Sequence, residues 1–441
     1  MSTLGQSQIL STAQSEKLSA QLNRVDLSIL HVQQQLLHSS KPPTKSISPF
    51  DNFALAGNAQ DLQRGKEMIA QGLVGCLIVA GGQGTRLRFE GPKGMCPVTK
   101  IHHKTLFQVF AEKVVAAGKQ AQRLLPLAIM TSPQNHEATV SYFEKNQLFG
   151  LDRKQLNFFC QDVLPLLDMH GNLFLETPDT LATGPDGNGG AIHQFFNQGI
   201  WTDWHKQGVR YLNFVLIDNP LADPFDAELV GFHQKSHSDI VVKATLRRDE
   251  AENVGILVKD HGRAAVVEYS ELDHDARMET NADGTLRYPI ANISLFSFSM
   301  DFIKDVVHTK KTMMPLHKAF KAVKYLGADG TTVQAEKPMA WKFEKFIFDL
   351  LPAASKVDAL IYPREQCFAP LKNFSGLDSL ETVPDAIEEN DRQALATITG
   401  APCTASPLEI SQDFYYPTPE LINMWRNRHV KHSGYINAFS L

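Results

Sequence analysis

Cys76-Leu77-Ile78-Val79-Ala80-Gly81-Gly82-Gln83-Gly84-Thr85-Arg86-Leu87, continued by Arg88-Phe89-Glu90-Gly91-Pro92-Lys93-Gly94-Met95, decides how this chain reads. An apolar run of strand length enters a loop in which Gly81, Gly82 and Gly84 lie within four residues. Without a Cβ, such a backbone turns tightly and brings its N–H groups against a ligand. Successive N–H groups in such a loop form an anion-binding concavity. Arg86 and Lys93 add positive charge. The stretch is expected to be a phosphate-binding loop at the carboxyl end of a parallel strand.

Two familiar phosphate motifs do not fit. A P-loop places Lys and Ser or Thr directly after its last glycine, and none follows here. A dinucleotide fingerprint puts a third glycine where Leu87 stands and opens at once into a helix, which Pro92 opposes. An NAD-dependent oxidoreductase also needs an acid about 20 positions past the glycines, at a strand end. A helical pattern occupies that place.

The 441 residues are enough for two or three domains. A net charge of −5 points away from a general nucleic-acid or membrane-surface binder. The five cysteines are dispersed, with no Cys-x-x-Cys pair, which fits a reducing, cytoplasmic setting without disulfides or a zinc site. No run of roughly 18 apolar residues occurs, and the first residues lack an apolar signal core.

Residues 1–70 are Gln-rich, with Leu18, Leu22, Val25, Ile29, Leu30, Leu36 and Leu37 at helical spacing. They predict one or two amphipathic helices ending at Lys41-Pro42-Pro43, then an extended linker over 39–49. Past the glycine loop, Thr105 is set to cap a helix. Strands are expected over 124–130, 157–161 and 209–217, with a helix near 136–145. This alternation predicts a doubly wound α/β domain, whose ligands sit beyond the carboxyl ends of the strands. Gln161, Asp218-Asn219 and the Gly184-Pro185-Asp186-Gly187-Asn188-Gly189-Gly190 loop fall at such ends. An Asp there, facing phosphates, suits Mg²⁺, which takes one or two carboxylates plus phosphate oxygens. A hairpin is expected over 254–273, with its turn at Lys259-Asp260-His261-Gly262 and Glu268 near its end. Phe343, Phe346 and Leu350 fit one face of a helix, and Asp385–Ala396 reads as a second. Lys372, in a Pro-containing turn, could reach a phosphate, though most such lysines are simply solvated.

Together these motifs resemble the uridylyltransferases of the UDP-sugar pyrophosphorylase family, and most of all its UDP-N-acetylglucosamine pyrophosphorylase branch. The resemblance runs over about residues 70–395. It is carried in order by LIVAGGQGTRL with PKGM, HKTLFQ, FFCQ with LP, PDGNGG, Asp218-Asn219, VVEYSE, EKFIFD and PLKN. It implies a central Rossmann-like mixed sheet nucleotidyltransferase domain (71–350) between a helical N-terminal arm (1–70) and a small C-terminal domain (351–441). By position it assigns Ala80, Gly81, Gly82, Gly84, Arg86, Lys93 and Lys372 to the UTP phosphates, with Arg86, Lys93 and Lys372 catalytic. Gln161 and Gly187 would read uracil. Asn188, Asn219, Glu268, Tyr269 and Asn292 would hold the sugar, and Asp218 would hold Mg²⁺. The implied reaction joins UTP and a sugar 1-phosphate, with glucose or N-acetylglucosamine as the sugar. The alternative is a nucleotide-sugar-binding regulator without turnover. Two positions depart from the pattern: Arg88 stands where relatives often carry Gly, and Ala291 precedes Asn292 where the N-acetylglucosamine branch has Gly.

Overall fold

The computed structural model describes residues 10–38, 47–269, 271–272, 274–309, 314–430 and 432–439. Most of the linker expected over 39–49, together with Ser270 and Asp273 at the hairpin's end, therefore lies outside the described residues. The chain forms two compact units, each built from separated segments. One comprises Met1–Lys45, Gln161–Ala191 and Met313–Leu350, and the other Ser46–Cys160, Ile192–Thr312 and Leu351–Leu441.

The larger unit is organised by an 11-stranded mixed sheet. Its main path runs Phe53–Leu55, Val357–Ile361, Ile240–Leu246, Ile290–Ser299, Tyr211–Leu216, Val74–Val79, Leu127–Thr131, Leu156–Cys160. Neighbours along it pair in parallel except on both sides of Ile290–Ser299, which runs opposite to the rest. Val74–Val79 is almost wholly buried, as a continuous apolar run in a parallel sheet should be. The strands expected over 124–130 and 209–217 are shorter, Leu127–Thr131 and Tyr211–Leu216. Leu124 is exposed, and Pro126 turns its carbonyl to the Cys76 N–H instead.

Helices cover the sheet through apolar faces. Thr105 caps Leu106–Ala121 by accepting the Gln108 N–H, and Val109, Phe110, Val114 and Ala117 of that helix enter the main core. His136–Lys145 follows the next strand at the bounds its pattern predicts. The hairpin forms from Ile256–Asp260 and Arg263–Val267. Its turn is tighter than expected, only His261-Gly262, both left-handed (φ 48° and 78°), as a two-residue hairpin turn requires. The second helix is longer than its pattern, Thr382–Thr399, closed by left-handed Gly400.

The smaller unit contains the helices Thr12–Asn23 and Leu27–His38. Ile29, Leu30, Leu36 and Leu37 pack on a core of Leu164, Leu167 and Phe343. Glutamines do the polar work: Gln33, fully buried, donates to the Pro165 carbonyl at 3.0 Å, and Gln34 to Gly171 at 3.0 Å. The helix expected through Phe343, Phe346 and Leu350 does not form. Ala340–Glu344 is a strand paired with His317–Lys321 and Leu167–Asp168, and Ile347–Ala353 is a 3₁₀ stretch. A short apolar run does not distinguish helix from strand, and here the two strand partners decided.

Candidate active site

In the larger unit the strand Val74–Val79 delivers the glycine loop. Ala80 is fully buried, and its N–H donates to the Met130 carbonyl at 2.7 Å. The loop then folds back on itself. Gly84 N–H donates to Gly91 O at 3.0 Å, and Lys93 N–H to Gly82 O at 3.1 Å. Gly84 thus supplies the turn, and its α-carbon faces Phe89 so closely that a Cβ would lie 3.0 Å from that ring. Gly82 differs: a Cβ there would meet nothing within 4 Å. The protein's own packing does not demand glycine at 82; close approach of something from outside would. Gly81 is buried beside it, and Arg86 is exposed on the 3₁₀ turn Thr85–Leu87.

The 3₁₀ turn Lys93–Met95 that closes this loop sets Lys93 beside Asp218. Lys93 Nζ stands 3.7 Å from Asp218 Oδ2 and 3.4 Å from the carbonyl of Leu371, whose own N–H donates to the Asp218 carbonyl at 2.7 Å. Three stretches remote in sequence therefore meet: the glycine loop, the end of Tyr211–Leu216, and the turn before Lys372. The Lys372 ammonium lies 5.7 Å from the centre of the Phe368 ring. Asn219 is buried, and both ends of its amide grip the same turn: Nδ2 donates to Cys367 O at 2.7 Å, and Oδ1 accepts from Ala369 N at 3.0 Å. Its amide is an anchor for the stretch leading to Lys372.

Glu268 and Asn292 are also brought together. Asn292 N–H donates to the Gly255 carbonyl at 2.8 Å, and a Cβ on Gly255 would lie 2.9 Å from Glu268 Oε1. Asn292 sits at a bulge in Ile290–Ser299, where the register against Ile240–Leu246 slips and Ser294 turns left-handed (φ 57°). A bulge re-aims side chains, and here the Asn292 side-chain oxygen accepts the Ser294 N–H at 3.1 Å. Tyr269 is exposed, with the Arg277 guanidinium 5.7 Å from its ring centre.

In the smaller unit, Gln161 is buried at 6% exposure. The Asp186–Gly189 loop is clasped to Lys345. Lys345 N–H donates to Asp186 O at 2.7 Å, Gly189 N–H to Lys345 O at 2.9 Å, and Ile347 N–H to Asn188 Oδ1 at 2.9 Å. Gly187 is left-handed (φ 91°), and a Cβ there would collide with the Lys345 carbonyl. Burial pushes the Asp186 carboxyl up to about 6, against the pull of the Lys345 ammonium 3.5 Å away.

The family model for UTP–glucose-1-phosphate uridylyltransferase matches residues 31–396. The chain belongs to this uridylyltransferase family. Among curated relatives, the Saccharomyces cerevisiae UDP-N-acetylglucosamine pyrophosphorylase is 32% identical over 355 residues, 77% of this chain and 74% of the relative. The Arabidopsis thaliana UDP-N-acetylglucosamine diphosphorylase 2 is 30% identical over 362 residues, 77% and 70% of the two chains. The crystal structure of the Trypanosoma brucei uridine diphosphate N-acetylglucosamine pyrophosphorylase in complex with inhibitor superposes with a TM-score of 0.79. It covers 94% of this chain and 90% of its own at 24% identity, a likeness of fold.

Within this uridylyltransferase the structure adds residues that the motif reading passed over. Asn135, buried, donates to the carbonyls of Ala80 at 2.9 Å and Gly82 at 3.4 Å, bracing the glycine loop from the next strand's end. Glu409 accepts the N–H groups of Ile101 and His102 at 3.0 and 2.9 Å, tying the stretch after Lys93 to the C-terminal strand Leu408–Ile410. Lys345 stands within the EKFIFD stretch, but its hold on the Asp186–Gly189 loop appears only in the fold. Arg88, in place of the usual glycine, is left-handed (φ 54°), the conformation glycine takes without strain, and its guanidinium lies 4.5 Å from the Phe374 ring centre.

Proposed function

We propose that this protein transfers the uridylyl group of UTP to N-acetylglucosamine 1-phosphate, releasing pyrophosphate. A phosphate oxygen of the sugar phosphate attacks the α-phosphorus of UTP. The bond between α- and β-phosphates breaks, and pyrophosphate carries away the electron pair. No protein nucleophile takes part. The obstacle is repulsion: two unit charges 4 Å apart interact by about 4 kcal/mol at an effective dielectric near 20, and several such pairs must be brought together. Placed cations and backbone dipoles offset this, and positioning supplies much of the rest.

One observation carries the reading. Lys93 and Asp218, a cation and an anion from different parts of the chain, are held 3.7 Å apart beside the turn that precedes Lys372. In this reading Lys93, Lys372 and Arg86 face the phosphates, and Gly81 and Gly82 leave room for them. Gln161 and Gly187 read uracil. Asn188, Glu268, Tyr269 and Asn292 line the sugar's place, with Asn219 anchoring the turn that carries Lys372.

Asp218 fits Mg²⁺. It is a partly exposed carboxylate with a loose ammonium partner, and the described residues hold no cluster of three metal-ligating side chains. A single carboxylate suits an ion that takes most of its other ligands from phosphate and water. When bound, the ion would screen charge on the phosphate oxygens.

N-Acetylglucosamine is preferred over glucose because the curated relatives above carry that sugar in their names. The test is pyrophosphate release from UTP with a panel of sugar 1-phosphates. The expected result is strongest turnover with N-acetylglucosamine 1-phosphate. Nucleotide-sugar binding with no pyrophosphate from any sugar phosphate would assign a regulatory binding protein instead.

A further inference from the structure

Behind the Asp218 turn lies a buried cation that the reaction itself does not use. Lys113, in the middle of Leu106–Ala121, is 5% exposed. Its Nζ donates to the carbonyls of Pro220 at 2.6 Å and Ala222 at 2.9 Å. The rings of Phe110 and Tyr415 flank it at 5.7 and 5.5 Å. The nearby carboxylates are engaged elsewhere: Asp223 accepts the Tyr416 hydroxyl, and Asp391 accepts the Tyr415 hydroxyl at 2.6 Å. An ammonium buried this deeply is costly unless its donors are satisfied, and here two backbone carbonyls satisfy it.

Those carbonyls belong to the turn that begins with Asp218 and Asn219. Ala222 N–H closes the turn by donating to Asn219 O at 3.0 Å. From the turn's near side, the Asp218 carbonyl accepts Leu371 N–H, and the Asn219 amide grips Cys367 and Ala369. Lys113 is therefore the inner end of a continuous chain of hydrogen bonds. It runs through Pro220–Ala222 to Asp218 and Asn219, then to the stretch ending at Lys372.

We propose that Lys113 is a positioning residue for uridylyl transfer: by holding the Pro220 and Ala222 carbonyls it sets the place of the Asp218 carboxylate and of the turn that carries Lys372. It touches no substrate. The inference rests on the uridylyl-transfer reading, and a misplacement of about 1 Å at such a site costs about 100-fold in rate.

The test uses the full chain with Lys113→Met, Lys113→Gln and Lys113→Arg. Turnover, both Michaelis constants and the Mg²⁺ half-saturation are measured, together with calorimetric UTP binding at rising Mg²⁺ and thermal melting. Lys113→Met is expected to lower kcat by about 10- to 100-fold. At saturating Mg²⁺ the UTP Michaelis constant should change little, while the Mg²⁺ half-saturation rises and UTP binding at limiting Mg²⁺ weakens. Lys113→Arg should restore most of the turnover, since a guanidinium can reach two carbonyls and a cavity of about 360 Å³ beside Lys113 gives it room. If Lys113→Met does not fold, Lys113→Gln, which cannot satisfy both carbonyls with a charge, is judged on the same quantities. A folded Met or Gln variant with parental kcat and Mg²⁺ dependence overturns the proposal, even if it melts lower. If the parent itself releases no pyrophosphate, the reaction assignment fails, and the calorimetric Mg²⁺ dependence alone decides the role of Lys113.

Discussion

Lys93 is held by its backbone and left loosely paired at its tip. Its N–H is fixed to Gly82, while among the described residues its ammonium has a 3.7 Å ion pair and a 3.4 Å carbonyl contact. At 3.7 Å the pair is too long to be a direct hydrogen bond, and the Asp218 side chain keeps a share of water contact when the lysine is gone. Lys93→Ala should therefore keep the fold and lower kcat by about 10²–10³, the scale for removing one preorganised electrostatic group. Steady-state turnover beside a melting curve checks this, and near-parental turnover would remove Lys93 from the mechanism. Gly82 gives a sharper separation. A methyl group there meets no protein atom within 4 Å, so Gly82→Ala should melt with the parent. If phosphate occupies that space, overpacking of about 1–3 kcal/mol raises the UTP Michaelis constant roughly 5- to 150-fold. An unchanged constant would place the phosphates elsewhere. Lys93 was readable in the sequence because it follows Pro92 just past the glycines. Asn135 and Lys113 were not, because their partners are main-chain carbonyls, which leave no mark in a side-chain pattern.

At the scale of elements, the strands and helices with unambiguous period and caps were legible. His136–Lys145 and the Thr105-capped helix formed as their patterns require. The failures share a cause: tertiary partners overrode local pattern. Two strand partners drew Ala340–Glu344 out of a helix, and the bulge that orients Asn292 exists only against Ile240–Leu246. The helix Thr382–Thr399 carries a pH-sensitive group. Burial pushes the Asp391 carboxyl up to about 7, although the Tyr415 hydroxyl and the Ile410 N–H pull it down. Its unfolded value is near the ordinary 3.8. Between about pH 4 and 7 the folded carboxyl keeps a proton that the unfolded chain has released, so its contribution to stability falls as pH rises and levels off above. Asp391→Asn lacks this proton. Its melting temperature relative to the parent should improve steadily from pH 4 to 7, and parallel curves would show that Asp391 ionises normally.

Two units make up the molecule, each built from three separated segments, and the larger is organised by a mixed sheet along whose main path one strand opposes the rest. Strand and helix alternation made the α/β class readable, but not the interleaving. The Gln-rich helices look like an arm in sequence, yet they group with segments more than a hundred residues away, through Gln33 and Gln34 bonded to backbone carbonyls. No helix among the described residues is long and apolar enough to cross a membrane. The family likeness spans residues 31–396, so both units take part in what the family shares. Uridylyl transfer requires attack at the α-phosphorus of UTP, and UTP labelled at the α-phosphate tests this directly. Incubated with N-acetylglucosamine 1-phosphate, the label should pass wholly into a nucleotide sugar while unlabelled pyrophosphate accumulates in equal amount. Label remaining in UTP, or appearing in UDP or UMP without nucleotide sugar, would rule out uridylyl transfer.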